Sequence, residues 1–76
     1  MAARKVHVMA VETEIAGLLA DIQTAHPEVA IGSYPRFDES GQSVLVTVDA
    51  SDPSAVDRVM NKVVEAFDKQ AIIDVK

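Results

Sequence analysis

Two apolar stripes at helical spacing, each set between segments that alternate at period two, restrict most severely the folds open to this chain. The longer stripe is Val56, Val59, Met60, Val63, Val64 and Phe67, which recur at i, i+3, i+4, i+7, i+8 and i+11 and would line one face of a helix. Asp57, Arg58, Asn61, Lys62, Glu65 and Asp68 fall on the opposite face. Ser51-Asp52-Pro53 opens the segment, with Asp52 as the capping residue and Pro53 at the first helical position, where its missing N–H costs nothing. The shorter stripe, Ile15, Leu18, Leu19, Ile22 and Ala25, predicts a helix from Glu12 to about Ala25. Thr13 is its expected N-cap, Glu12 and Glu14 favour the positive end of the helix dipole, and Gly17 would permit close packing on a sheet. Pro27 ends it and pushes His26 towards extended backbone.

The period-two segments supply four strands. Arg4–Val11 sets Val6, Val8 and Ala10 against Lys5, His7 and Met9. Val29 to about Tyr34 is the second strand. Asp38-Glu39-Ser40-Gly41-Gln42 then forms a turn in which Gly41 supplies a positive φ. Ser43–Asp49 is the clearest strand, with Val44, Val46 and Val48 on one face and Leu45 and Thr47 on the other. Ala71–Val75 is a short last strand. The order β-α-β-β-α-β predicts an α+β fold: a ferredoxin-like, split βαβ sandwich with a four-stranded antiparallel sheet and both helices on one face. Right-handed crossovers place the first and third strands in its centre, where apolar residues on both faces suit them. The 76 residues make a single domain. A chain of that size buries only about 60–65% of the surface it exposes unfolded. With no cysteine to staple it, stability must come from regular elements.

Little in the chain carries chemistry. The net charge of −5 disfavours nucleic acid and membrane surfaces, which call for clustered Lys and Arg. No stretch approaches the roughly 20 apolar residues of a membrane span, and Met1-Ala2-Ala3-Arg4-Lys5-Val6-His7 is too polar for a secretory signal, so the expected location is cytoplasmic. His7 and His26 have no carboxylate or thiol at ligand spacing, so no metal is expected. No serine stands in a G-x-S-x-G context, and Glu12/Glu14 and Asp49/Asp52 are explained by helix starts and turns. The signatures of other ferredoxin-like families are absent. No aromatic stands on the central strands to stack RNA bases, no paired cysteines follow the first strand, and Ala10-Val11-Glu12-Thr13-Glu14 would repel phosphate there. Gly17, Gly32 and Gly41 form no G-x-x-G loop. The chain reads as non-enzymatic.

What remains is Gly32-Ser33-Tyr34-Pro35-Arg36-Phe37, which gathers a glycine, a proline and two of the three aromatic residues. A glycine in a strand pattern marks a bulge or a close approach, and Pro35 belongs on an edge strand or at a strand end. One reading is a bulged strand exit whose aromatics cover the sheet edge. The other is a contact surface, since Tyr34, Phe37 and Arg36 are of the types enriched at interface centres.

The helix leading into Gln23-Thr24-Ala25-His26-Pro27-Glu28-Val29-Ala30-Ile31-Gly32-Ser33-Tyr34-Pro35-Arg36-Phe37, then a turn, a valine-rich strand and a helix opened by Asp52-Pro53, resembles the C-terminal portion of CinA-like, molybdopterin-binding-type proteins. That portion follows a MoaB-like domain. Related segments occur in the pterin-like domain of eukaryotic FAD synthases. The resemblance implies an excised C-terminal accessory domain, non-catalytic, whose partner is an upstream MoaB-like domain or a second copy of itself. It implies no cofactor in this segment and molybdopterin in the parent protein. An ACT-like domain that binds a small regulatory ligand is the alternative. It shares the element order, but Val11-Glu12-Thr13 lacks the glycine such domains carry between first strand and first helix.

Overall fold

A computed structural model describes residues 2–38, 41–67 and 69–75. Strand β1 (Ala2–Val8) leads to helix α1 (Glu12–Ala25), the hairpin of β2 (Ala30–Asp38) and β3 (Gly41–Ala50), helix α2 (Pro53–Ala66), a 3-10 turn (Lys69–Ala71) and β4 (Ile72–Val75). The strands form one antiparallel sheet in the order β2-β3-β1-β4, with β1 and β3 central. This is the α+β, split βαβ arrangement that the element order dictates.

Register explains which face is covered. Val6 pairs with Val46 and Val8 with Val44, while Val48 stands opposite Ile31 on the other side of β3. Side chains alternate along a strand, so Val6, Val8, Val44, Val46 and Val48 all point to one face. On that face they meet Ile15 and Leu19 of α1 and Val56, Val59, Met60 and Val63 of α2 in a single buried core. Each fully buried valine contributes about 1.5–3 kcal/mol relative to an exposed one. The opposite face carries no helix and presents Lys5, His7, Leu45, Thr47 and Asp49. The expected apolar character of both faces of the central strands is therefore found on one face only.

Helix α2 begins as its sequence dictates. Asp52 is the N-cap and its Oδ1 accepts from the Ser54 N–H at 3.0 Å, with Pro53 in the first turn. Helix α1 does not: its N-cap is Val11 rather than Thr13, and no side chain caps it. Gly17 is exposed, and a Cβ there would meet nothing within 4 Å, so it does not serve close packing. Gly41 has the expected positive φ, 115°. Glu39 and Ser40 of the expected turn lie outside the described residues, as does Asp68.

Several boundaries move: β1 starts at Ala2 rather than Arg4, β2 at Ala30 rather than Val29, and β3 runs Gly41–Ala50 rather than Ser43–Asp49. β1 ends at Val8, before the expected Val11, because the chain turns away and the Met9 N–H donates to the Ala71 carbonyl at 2.6 Å. β4 begins at Ile72, after the 3-10 turn. Most consequential, β2 does not exit at Tyr34. It runs through Pro35 to Asp38 in unbroken register with β3, so the bulge expected from Gly32 is absent.

Candidate functional site

The side chain of Gln23, at the end of α1, makes that long edge strand possible. Its Oε1 accepts from the Ile31 N–H at 2.8 Å, and its Nε2 donates to the carbonyls of Val29 at 2.6 Å and His26 at 3.3 Å. One amide thus closes the loop between α1 and β2. The bond from Ile31 also fixes which way β2 faces. If the N–H of Ile31 points away from β3, strand alternation puts the backbone nitrogens of Ser33, Pro35 and Phe37 in the same outward row. Gln23 occupies the first position of that row, and Pro35 has no N–H to offer. A proline is tolerated mid-strand here because its missing donor falls on the outer edge. The same two residues blunt the edge against pairing with another strand.

Strand alternation divides Gly32–Phe37 between the two faces of β2, while Pro35, Arg36 and Phe37 border one groove at its end. Gly32, Tyr34 and Arg36 stand opposite Thr47, Leu45 and Ser43, on the helix-free face. Ser33, Pro35 and Phe37 fall on the helix side. Space at Gly32 is tight: a Cβ would lie 3.0 Å from Thr47 Oγ1, 3.2 Å from Tyr34 Cε2 and 3.3 Å from the Tyr34 hydroxyl, so these side chains would have to shift by a few tenths of an ångström. The Tyr34 ring leans back over Gly32 and rests against the sheet, while 56% of the residue stays exposed.

Two hollows flank the segment. On the helix-free face Lys5, His7, Arg36, Leu45 and Asp74 line a recess of about 240 Å³. His7 Nε2 and Ser43 Oγ are hydrogen-bonded there at 2.7 Å, the donor depending on the imidazole tautomer, and Asp74 stands opposite His7 on β4. Sequence spacing could not join these three residues, which come from three strands. Ser43 is 3% exposed, so its hydroxyl is not open to solvent. The bond satisfies a buried polar residue and fixes the ring. At the end of the sheet, beside the start of α1, Ala10, Val11, Thr13, Pro35, Arg36 and Phe37 line an open groove of about 200 Å³, so Arg36 borders both hollows. Phe37 is 75% exposed and Val11 39%, so neither closes the core.

Among the described residues no group of three or more His, Asp or Glu is placed to hold a metal ion, and no helix is long and apolar enough to cross a membrane.

The whole chain, residues 1–76, matches the family model described as FAD synthase, middle domain. No curated protein and no solved structure gives a significant match. The family match overturns the reading as a C-terminal accessory domain of a CinA-like, MoaB-linked protein, and with it the expectation of molybdopterin in the parent. It gives the ACT-like alternative no support either. That resemblance rested chiefly on the short run Ile31–Phe37, whereas the match takes in every element of the fold. By that match over its full length, the chain belongs to the FAD synthase middle-domain family.

Proposed function

We propose that this chain is a non-catalytic domain of an FAD synthase and that it docks against another part of that same polypeptide through the groove between β2 and the start of α1. The observation that carries this is Phe37, three-quarters exposed beside Pro35, Val11 and Ala10. A small domain gains nothing in stability from an aromatic ring left in water, whereas interface centres are rich in such rings. The family description supports the choice of partner, since a middle domain has neighbours on both sides. Docking is through side chains rather than by adding a strand to β2, because Gln23 and Pro35 occupy the outward row of that edge. The burial of Ser43 supports the non-catalytic reading.

The test is association of the separately produced chain with the remainder of an FAD synthase. Phe37→Asp should weaken it at least about tenfold, the effect of losing one anchor residue. Its melting temperature should stay within a few degrees. Unchanged association would refute the docking role of this groove. Dimerisation of the chain alone that Phe37→Asp abolishes would reassign the groove to a homomeric contact.

A further inference from the structure

We infer that the partner segment docked in the groove beside α1 carries a carboxylate next to a large apolar side chain, the carboxylate held by the Arg36 guanidinium and the apolar side chain by Phe37, Pro35 and Val11. The inference rests on the docking role proposed for that groove and adds the chemistry of its occupant.

The groove is too small for a free small molecule. Its volume of about 200 Å³ falls below the ~300–1,000 Å³ of pockets that enclose a whole ligand. It suits instead a side chain from a protein segment that lies across it. Ala10, Val11, Pro35 and Phe37 give that segment an apolar bed, and Thr13, Gln42 and Ser43 add neutral polar groups. Arg36 is the one charged residue among the described lining. Neighbouring residues of a strand point to opposite faces, so Phe37 and Arg36 straddle the end of β2. A segment that crosses this end meets the ring and the guanidinium together.

The guanidinium is uncommitted within the domain. Arg4 is ion-paired with Asp57 at 3.4 Å, whereas the exposed Arg36 side chain enters no ion pair and no side-chain hydrogen bond among the described residues. Its planar fork matches a carboxylate through two parallel N–H bonds, and an apolar surround that excludes water strengthens such a pair. Arg36 also borders the recess on the helix-free face, but a carboxylate there would meet Asp74. The groove has no acid among its described lining residues. A second copy of the chain is a poor source of the carboxylate, because each copy carries a net charge of −5 and the two repel. The acid therefore belongs to a neighbouring part of the parent polypeptide.

The experiment measures association of the chain with the remainder of an FAD synthase, with circular dichroism to show that each variant is folded. Arg36→Ala should weaken association about tenfold or more, and Arg36→Glu about a hundredfold. Arg36→Lys keeps the charge without the fork and should lose only about threefold. Added salt should weaken the parent complex more steeply than the Arg36→Ala complex. A carbodiimide condenses a lysine amine and a touching carboxylate into an amide. With the Arg36→Lys variant it should give a cross-link, absent from the parent, between residue 36 and a single Asp or Glu that neighbours a large apolar residue in the partner. If Phe37→Asp weakens association while Arg36→Ala and Arg36→Glu bind as the parent does, the docking role stands and the carboxylate is overturned. A cross-link to an acid of a second copy, or none from residue 36, would also overturn it. If Phe37→Asp too binds as the parent does, the groove is not the interface and both readings fall.

Discussion

Replacement of Gln23 tests how one side chain holds the edge of this sheet. Gln23 carries three hydrogen bonds, two short at 2.6 and 2.8 Å and one long at 3.3 Å, all to backbone groups of the connection between α1 and β2. An intramolecular hydrogen bond contributes about 1 kcal/mol net, and more where its loss leaves a buried group unsatisfied. Val29 is buried, so its carbonyl loses a partner that water replaces poorly. The two short bonds account for about 2 kcal/mol and the long one adds little. Alanine is a slightly better helix former than glutamine, which returns a few tenths. Gln23→Ala should therefore cost about 2 kcal/mol, which lowers the melting temperature by about 8–16 °C in a domain of this size. Gln23→Met separates hydrogen bonding from packing, because it keeps the length and removes the amide. It should be destabilised nearly as much as alanine. Urea denaturation gives the free energies, and amide exchange at Ile31 reports the local bond. If Gln23→Met stays within about 0.5 kcal/mol of the parent, the amide does not hold this loop and the assignment of the outward row loses its anchor.

Val63 is fully buried between α2 and the sheet, so Val63→Asp places a charge without a partner in the core and should unfold the domain; a soluble variant with unchanged melting would contradict the helix-on-sheet packing. Gly17→Ala should stabilise by about 0.5–1 kcal/mol, since the position is helical and open around its Cβ, and a fall in melting temperature would show that Gly17 has a packing role. Phe37→Ala should change stability by less than about 1 kcal/mol, against the 3–5 kcal/mol typical of a buried phenylalanine, and a loss in that larger range by denaturation would place the ring in the core.

The element order was legible because both signals that encode it are periodic. The stripe Val56, Val59, Met60, Val63 is read at one spacing and Val44, Val46, Val48 at another, and neither depends on distant residues. What stayed illegible was decided by partners far along the chain. Pro35 looked like a strand end, because a missing N–H is harmless or ruinous according to the direction it points. That direction is set by Gln23, twelve residues earlier and apparently one more polar residue on α1. His7, Ser43 and Asp74 showed no common spacing because three different strands carry them. Thr13 is the better capping residue by type, yet the N-cap falls two residues sooner, at Val11, and the helix does without a side-chain cap. The segment Gly32–Phe37 was recognised as unusual, but its division between two faces follows from regular alternation along a strand that was expected to break.

The buried layer has a consequence for the way the chain folds. Four of the fourteen residues of α2 are valine: Val56, Val59, Val63 and Val64. A β-branched side chain is confined to essentially one rotamer in a helix, which makes such a segment a poor helix former by itself. Fourteen residues are also near the lower limit at which any isolated helix persists in water. The same stiffness is an advantage once the layer assembles, because a valine has few rotamers left to lose against Val6, Val46 and Val48. The helix and the sheet beneath it should therefore appear together, in a single cooperative step without a preformed helical intermediate. A synthetic peptide spanning residues 51–67 would be mostly disordered, and refolding would show one exponential in both far-ultraviolet circular dichroism and core burial.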